Sequence, residues 1–510
     1  MTSGTQLAGR ESVVPDVPGQ ILHYVDGAHV ESRSGETFET IDPSTNESIT
    51  TVSAGKGEDI DRAVKAARRA FDDRHWSDLL PRRRARVLNA IADAIEVRDE
   101  QIAQLEALDT GLPITQARGQ AARAAENFRF FADVIVSLGE EAFRVGQQQL
   151  NYVVRKPIGV AGLITPWNTP FMLETWKLAP CLASGCTCVL KPAEWSPLTA
   201  NVLPEIFEEA GVPNGVVNVV QGVGEDAGAA LVSHPGAPLI SFTGETTTGQ
   251  LIMSSASQNL KQLSMELGGK SPVVVFADAD IERAVDGAVF GVFSLNGERC
   301  TAGSRLLVER AVYDEIVERV SERASAVRVG SPHDPSTELG ALIHRDHLER
   351  VLGYVQIGQD EGARLVTGGK RVADLPNGNF MRATVFADVR SDMRIFQEEI
   401  FGPVLCITPF DDDAEALELA NGVKYGLAAY IWTNDLARGH RFAQATEAGM
   451  VWLNSHNVRD LRTPFGGVKA SGLGREGGHH SIDFYCESQI IHVTLDGAPP
   501  PRFGVTPEGA

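Results

Sequence analysis

From Asn151 onward the chain alternates short apolar runs with amphipathic segments, and this rhythm leaves few folds open. "GVAGLITP", "TCVLKP", "GVVNVVQG" and "PLISFTG" are separated by stretches such as "SPLTANVLPEIFEEAG" and "GEDAGAALVSHP". Strand, helix, strand at this spacing predicts βαβ units and a parallel sheet covered on both faces. In "SPLTANVLPEIFEEAG", Ser196 and Pro197 stand in the order of an N-cap and a first helical residue. A second block begins near Gly269, where "SPVVVFADAD", "RLLVER", "VYDEIVERVSERASAVRVG" and "VLCITPF" alternate in the same way. Before Asn151 the pattern is helical. Ile60, Val64, Ala67 and Phe71 fall three or four apart, and "RRRARVLNAIADAIEVRDEQIAQLEALDTG" runs on to a stop at Gly111, with Pro113 beyond. At 510 residues the chain exceeds what one core supports, so two or three α/β domains are expected. No internal repeat of fixed period is present.

Charge narrows the partners. There are 46 Lys and Arg against 67 Asp and Glu, a net −21, which argues against nucleic acid and anionic membranes. A small anionic substrate needs only one or two local arginines and is untouched by that argument. The first residues lack an apolar signal core, and no stretch approaches the ~18 apolar residues of a membrane helix. Residues 1–20 read as a loose polar tail and 498–510 as an irregular proline-rich one. The six cysteines, at 181, 186, 188, 300, 406 and 486, show no zinc-like pairs, and a reduced, cytoplasmic protein without a metal is expected. Cys186 and Cys188 straddle Thr187 in an apolar run, which suits alternate faces of a strand.

Two stretches carry chemistry. Sheets of this kind bind ligands beyond the C-terminal ends of their strands. "TCVLKPAEWSP" ends a strand with Lys191 and then Glu194, an acid that can accept hydrogen bonds from both ribose hydroxyls of NAD and would repel the 2′-phosphate of NADP. A solvated Lys and Glu is the plain alternative. "QGVGEDAG" spaces Gly222, Gly224 and Gly228 one residue too far for the usual glycine fingerprint, and alone it is a strand-to-helix turn. In "FSLNGERCTAGSR", Cys300 is a packing residue, a metal ligand or a nucleophile. Arg299 and the polar loop around it favour the thiolate.

"TPWNTPF", "KPAEWSP", "SFTGETTTG", "MELGGKSP", "NGERCTAGSR", "QEEIFGPV" and "TPFGGVKASGLGREGG" occur in the order and spacing of the aldehyde dehydrogenase superfamily, which the chain resembles from about Ile41 to Ile490. The resemblance implies a Rossmann-type NAD domain (21–140 and 160–268), an α/β catalytic domain (269–475) and a small β oligomerisation arm (141–159 and 476–497). It also implies a homo-oligomer, either a dimer or a dimer of dimers. It makes Cys300 the nucleophile, Asn168 an oxyanion donor, Glu266 the base for deacylation, and Lys177 and Glu476 a proton relay. Thr165, Pro166, Trp167, Lys191, Glu194, Gly224, Gly244, Leu267, Glu399 and Phe401 fall at cofactor contacts. Glu245 departs from the pattern. Many relatives carry a small hydroxyl residue there, and a carboxylate facing the pyrophosphate must turn away.

Within the superfamily the chain is most similar to enzymes acting on 5-carboxymethyl-2-hydroxymuconate and 2-hydroxymuconate semialdehydes, on "PWNTPFMLETWKLAP", "SFTGETTTGQ", "ENFRFFAD" and "VRDLRTPFGG". The function implied is NAD-dependent oxidation of a carboxylated semialdehyde through a thiohemiacetal and a thioester. The rivals are a broad-range or betaine-type dehydrogenase, and a thiol esterase with no redox step. Arg459 and Arg462 stand in a loop that many relatives line with aromatics, and a guanidinium matches carboxylate geometry. Arg462 is the chosen carboxylate partner, with Arg123, Leu173, Trp176 and Phe465 also expected at the substrate. Arginines bracing Asp460 in solvent are the plain alternative.

Overall fold

The computed structural model describes residues 16–495, 497, 503 and 504. Most of both expected tails lies outside the described residues, and Gln20 already opens a strand, Gln20–Ile21. Among the described residues no helix is long and apolar enough to cross a membrane, and no cluster of His, Cys, Asp and Glu is suited to a metal.

Two large sheets carry the molecule. The eight-stranded sheet has a parallel centre in the order Gln262–Glu266, Leu239–Thr243, Val160–Ile164, Thr187–Lys191, Val217–Val219. Antiparallel strands close it at both edges, Gly472–Leu473 on one side and the hairpin His23–Val25/Ala28–Val30 on the other. Chain order reverses between Val160–Ile164 and Leu239–Thr243, so a crevice opens beyond their ends, where a doubly wound sheet holds its ligand. The seven-stranded sheet is parallel apart from its Arg364–Thr367 edge, and its order reverses between Pro272–Val275 and Ala428–Trp432. Residues 141–159 and 476–497 contribute a three-stranded sheet in which Gln149–Pro157 pairs antiparallel with Cys486–Thr494 over nine residues.

Helices cover these sheets as the periodicities predict, with local departures. Gly57–Asp72 buries Ile60, Val64 and Ala67. Each of the larger aliphatic side chains so buried is worth about 1.5–3 kcal/mol. The long helical stretch ends at a left-handed Gly111 as expected, yet it is two helices, Pro81–Val97 and Asp99–Thr110, parted at Arg98. Ser196 caps no α-helix. The chain first makes a 3-10 turn, Thr199–Val202, and the free N–H of Leu198 donates to Asp109 Oδ2 at 2.7 Å. Cys186 and Cys188 do not take opposite faces, because two residues is one full strand period. Both enter the core that also holds Cys181.

Three carboxyls are buried where the helices meet the first sheet. Glu106 and Glu174 are fully enclosed with no hydrogen-bond partner for either oxygen, while Asp109 accepts from Thr40 Oγ1 and Leu198 N. Burial pushes Glu106 up to about 8 and Asp109 up to about 7, and holds Glu174 well above the carboxylate range; Asp109 adds repulsion at Glu106, and both add it at Glu174. The folded state therefore keeps protons that the unfolded chain has already lost, and stability must fall as pH rises through this window. We expect the melting temperature to decline from about pH 5 to about pH 9, less steeply in Glu106→Gln than in the native protein. Identical slopes in a differential scanning measurement would show that Glu106 is ionised in the fold.

Candidate active site

The loop that presents Cys300 is built from conformations most residues avoid. After the helix Ile281–Phe293, Leu295, Asn296 and Gly297 take φ of 53°, 57° and 75°. A Cβ on Gly297 would run into the backbone of Gly402 and Pro403, so only glycine fits. Asn296 is fully buried; its amide donates to Gly111 O (3.1 Å) and Ala341 O (2.9 Å) and accepts from Gly340 N (2.8 Å). Residue 111, residue 296 and residues 340–341 are thereby fixed together beside the Cys300 loop.

Glu266 ends the strand Gln262–Glu266, and the glycines that follow pass directly beneath Cys300. A Cβ on Gly269 would strike the Cys300 carbonyl, and one on Gly268 the Glu399 carboxylate. Glu399 Oε1 accepts from Gly269 N at 2.8 Å. Asn168 Nδ2 donates to the Glu298 carbonyl at 2.8 Å, two residues before Cys300, which leaves its second amide hydrogen free. Glu476 lies behind, accepting from Lys177 Nζ (2.8 Å), Ser241 Oγ (3.1 Å) and the Trp176 indole. This ion pair is buried and spans some 300 residues of sequence.

Electrostatics here run against one expectation. Arg299 does not make Cys300 a thiolate. Burial, with Glu266 and Glu399 nearby, pushes the thiol up to about 12 against Arg299 and Arg459. Glu266 is 4% exposed, neither of its oxygens has a partner, and burial followed by the charge of Glu476 holds its carboxyl well above the usual range. Burial also lifts Glu399, to about 7.

The crevice offers a dinucleotide a coherent donor and acceptor set. Lys191 is buried and donates to Glu194 Oε2 at 2.7 Å, so the pair is no solvated couple. Lys191 and the Gly224 N–H keep the Glu194 carboxyl low, despite the burial that opposes them. Nothing crowds the α-carbon of Gly224, and the Thr165 hydroxyl is buried without a partner. Trp167 and Phe401 meet edge to face at 5.2 Å. Gly244 N bonds to Glu266 O, and Leu267 N to Ser471 O, tying the crevice wall to the site. Pro166 lies between Thr165 and Trp167 in the same loop. Glu245 caps the helix Thr246–Ala256 with its backbone only, and its side chain is exposed. Such a crevice fits a dinucleotide.

The substrate side corrects the choice of arginine. Arg462 is exposed, its side chain 80% accessible and its guanidinium spread on Asp460. Arg459 turns inward instead. Its guanidinium lies 4.1 Å from the Trp176 ring centre and 4.6 Å from that of Phe465, with Nη2 buried and unpartnered. Arg123 donates to Gln120 and is held to about 9, first by burial and then by Arg459 and Arg299. Leu173 sits half-buried on the helix Pro170–Ser184 that carries Trp176 and Lys177. Sequence reasoning passed over Asn296, although it opens the quoted stretch "NGERCTAGSR", and missed His456, which lies outside every quoted motif.

The family model for aldehyde dehydrogenases matches residues 29–491. Over 468 residues the chain is 50% identical to a 5-carboxymethyl-2-hydroxymuconate semialdehyde dehydrogenase of Escherichia coli, covering 91% of this chain and 98% of that protein. It is 45% identical over 485 residues to a 2-hydroxymuconic semialdehyde dehydrogenase of a Pseudomonas species, covering 93% and 100%. The crystal structure of HpcC from Thermus thermophilus superposes with a TM-score of 0.94 at 53% identity, over 96% of both chains. An NAD+ complex of an aldehyde dehydrogenase from Bacillus cereus superposes at 0.92 with 42% identity, covering 94% and 97%. Sequence and architecture agree across nearly the whole length, and the chain belongs to the aldehyde dehydrogenase family.

Proposed function

We propose that this aldehyde dehydrogenase prefers NAD and oxidises an unsaturated semialdehyde that bears a carboxylate remote from the aldehyde. The observation that carries the substrate is Arg459, a cation without a hydrogen-bonded acid, stacked on Trp176 and close enough to bias Cys300. The names of the two semialdehyde relatives agree with this reading. Glu194, held ionised by Lys191, supports NAD.

Cys300 gives its proton to Glu266, whose oxygens are unpartnered, and Sγ adds to the aldehyde carbon while charge gathers on oxygen. The free hydrogen of Asn168 Nδ2 and the Cys300 N–H meet that oxyanion, and one such donor is worth ~3–4 kcal/mol of barrier. The nicotinamide supplies a hydride acceptor when bound. A thioester on Cys300 is then hydrolysed by water that Glu266 deprotonates. Its raised pKa makes it a stronger base than an ordinary carboxylate, and the Lys177–Glu476 pair behind it takes the proton onward. We also propose that the three-stranded arm, which exposes Phe143, Val145 and Ile490, joins a second copy.

Three outcomes follow. Glu266→Gln should release one burst of NADH in rapid mixing and then stall, whereas Cys300→Ala should give none; a full steady-state rate in Glu266→Gln means another base. The native enzyme should show kcat/KM for NAD at least about tenfold above that for NADP, narrowed by Glu194→Ser, because a like charge beside the 2′-phosphate is what rejects it. Arg459→Leu should raise KM for a carboxylated semialdehyde about tenfold or more while Arg462→Leu does little, as loss of a charged hydrogen bond predicts. Equal KM values for neutral and carboxylated aldehydes in the native enzyme would point to a broad-range dehydrogenase.

A further inference from the structure

Arg459 does not exhaust the cations at this site. Arg299 precedes the nucleophile, and its Nη1 is buried with no partner. Its guanidinium lies 5.4 Å from the ring centre of Phe290. Beside it stands His456, both of whose ring nitrogens are also buried and unpartnered. The imidazole is held rigidly. It stacks on Tyr430 at 3.8 Å and 13°, Tyr430 stacks in turn on Trp452, and Phe290 meets its edge at 6.1 Å. A Cβ on Gly291 would enter the same ring, so the glycine makes room for it. Tyr430 OH donates to Thr301 O at 2.8 Å, which ties the stack to the residue after Cys300. Burial and Arg299 push His456 down to about 3, so the ring is neutral and presents one N–H.

Among the described residues, Arg123, Arg299 and Arg459 have no carboxylate hydrogen-bonded to any of them, yet they lie near enough to repel one another. Buried cations and an unpaired imidazole are costly without an anion to receive them. A single remote carboxylate on Arg459 and Arg123 leaves Arg299 and His456 unused. We propose that Arg299 and His456 form a second carboxylate subsite, selecting aldehydes with an anionic branch within a few bonds of the reacting carbon. Position sets that distance. Arg299 adjoins Cys300 in the chain, and consecutive α-carbons are only ~3.8 Å apart. The inference rests on the reading that the remote carboxylate meets Arg459. It adds that the substrate carries two carboxylates, read separately at the two ends of the site.

The test compares 5-carboxymethyl-2-hydroxymuconate semialdehyde with 2-hydroxymuconate semialdehyde, which lacks the branch, in the native enzyme and in Arg299→Gln, Arg299→Lys and Arg459→Leu. The native enzyme should favour the branched aldehyde by about tenfold or more in kcat/KM, the size expected for a charged hydrogen bond. Arg299→Gln should erase that preference through a rise in KM for the branched aldehyde alone, any change in kcat being shared by both aldehydes, and Arg299→Lys should restore part of it. Native indifference to the branch overturns the proposal whether or not the variants fold. A branch preference left intact in Arg299→Gln also overturns it, since any loss shared by both aldehydes means only that Arg299 acts on the Cys300 thiol. If Arg459→Leu spares both aldehydes while Arg299→Gln discriminates, the remote-carboxylate reading fails and the near subsite stands.

Discussion

One buried amide decides where the chemistry happens. Three successive residues in the loop that leads to Cys300 are left-handed, each conformation costing of order 1–3 kcal/mol for a residue with a side chain. Asn296 offsets that strain with three hydrogen bonds into the backbone of Gly111, Gly340 and Ala341. The left-handed end of a helix, a loop of the second sheet and the nucleophile loop therefore move as one body. Everything aimed at Cys300, from Asn168 to Glu399, is aimed at a point this amide defines.

Around that point burial outweighs pairing. Carboxyls are lifted at Glu266 and Glu399, guanidinia are lowered at Arg123 and Arg459, and the thiol is lifted between them. Glu266 ends a strand that runs on into glycines, and Arg459 stacks on Trp176 and Phe465. Desolvation of this kind is what sharpens weak charges into directed ones.

Much of this was legible in the sequence, and the failures have physical causes. Strand and helix alternation predicts the two sheets, since parallel strands buried on both faces read as continuous apolar runs. Glu194 and Cys300 were visible because their neighbours are chemically odd. Arg459 and Arg462 were not separable, since both are arginines in one loop and only the fold reveals which meets Asp460. Ser196 has the right identity for a cap, but Asp109, far away in sequence, reaches the free N–H first. Arg299 pulls the Cys300 thiol down as its place in the sequence suggests, but the carboxyls that oppose it, Glu266 and Glu399, come from distant segments that a string of letters does not bring together.

Glu476 closes the first sheet's site from the far end of the chain. It bonds to Lys177 and Ser241, and its neighbours Gly472–Leu473 pair with the strand that ends in Glu266. During synthesis the crevice between Val160–Ile164 and Leu239–Thr243 has all its strands long before that closure exists. A nascent chain is thus a nucleotide-binding shape with a bare lysine beneath it. Such non-local closure is slow, and partly closed intermediates expose apolar edges. Until that closure forms, Lys177 lacks the buried carboxylate with which it pairs in the fold.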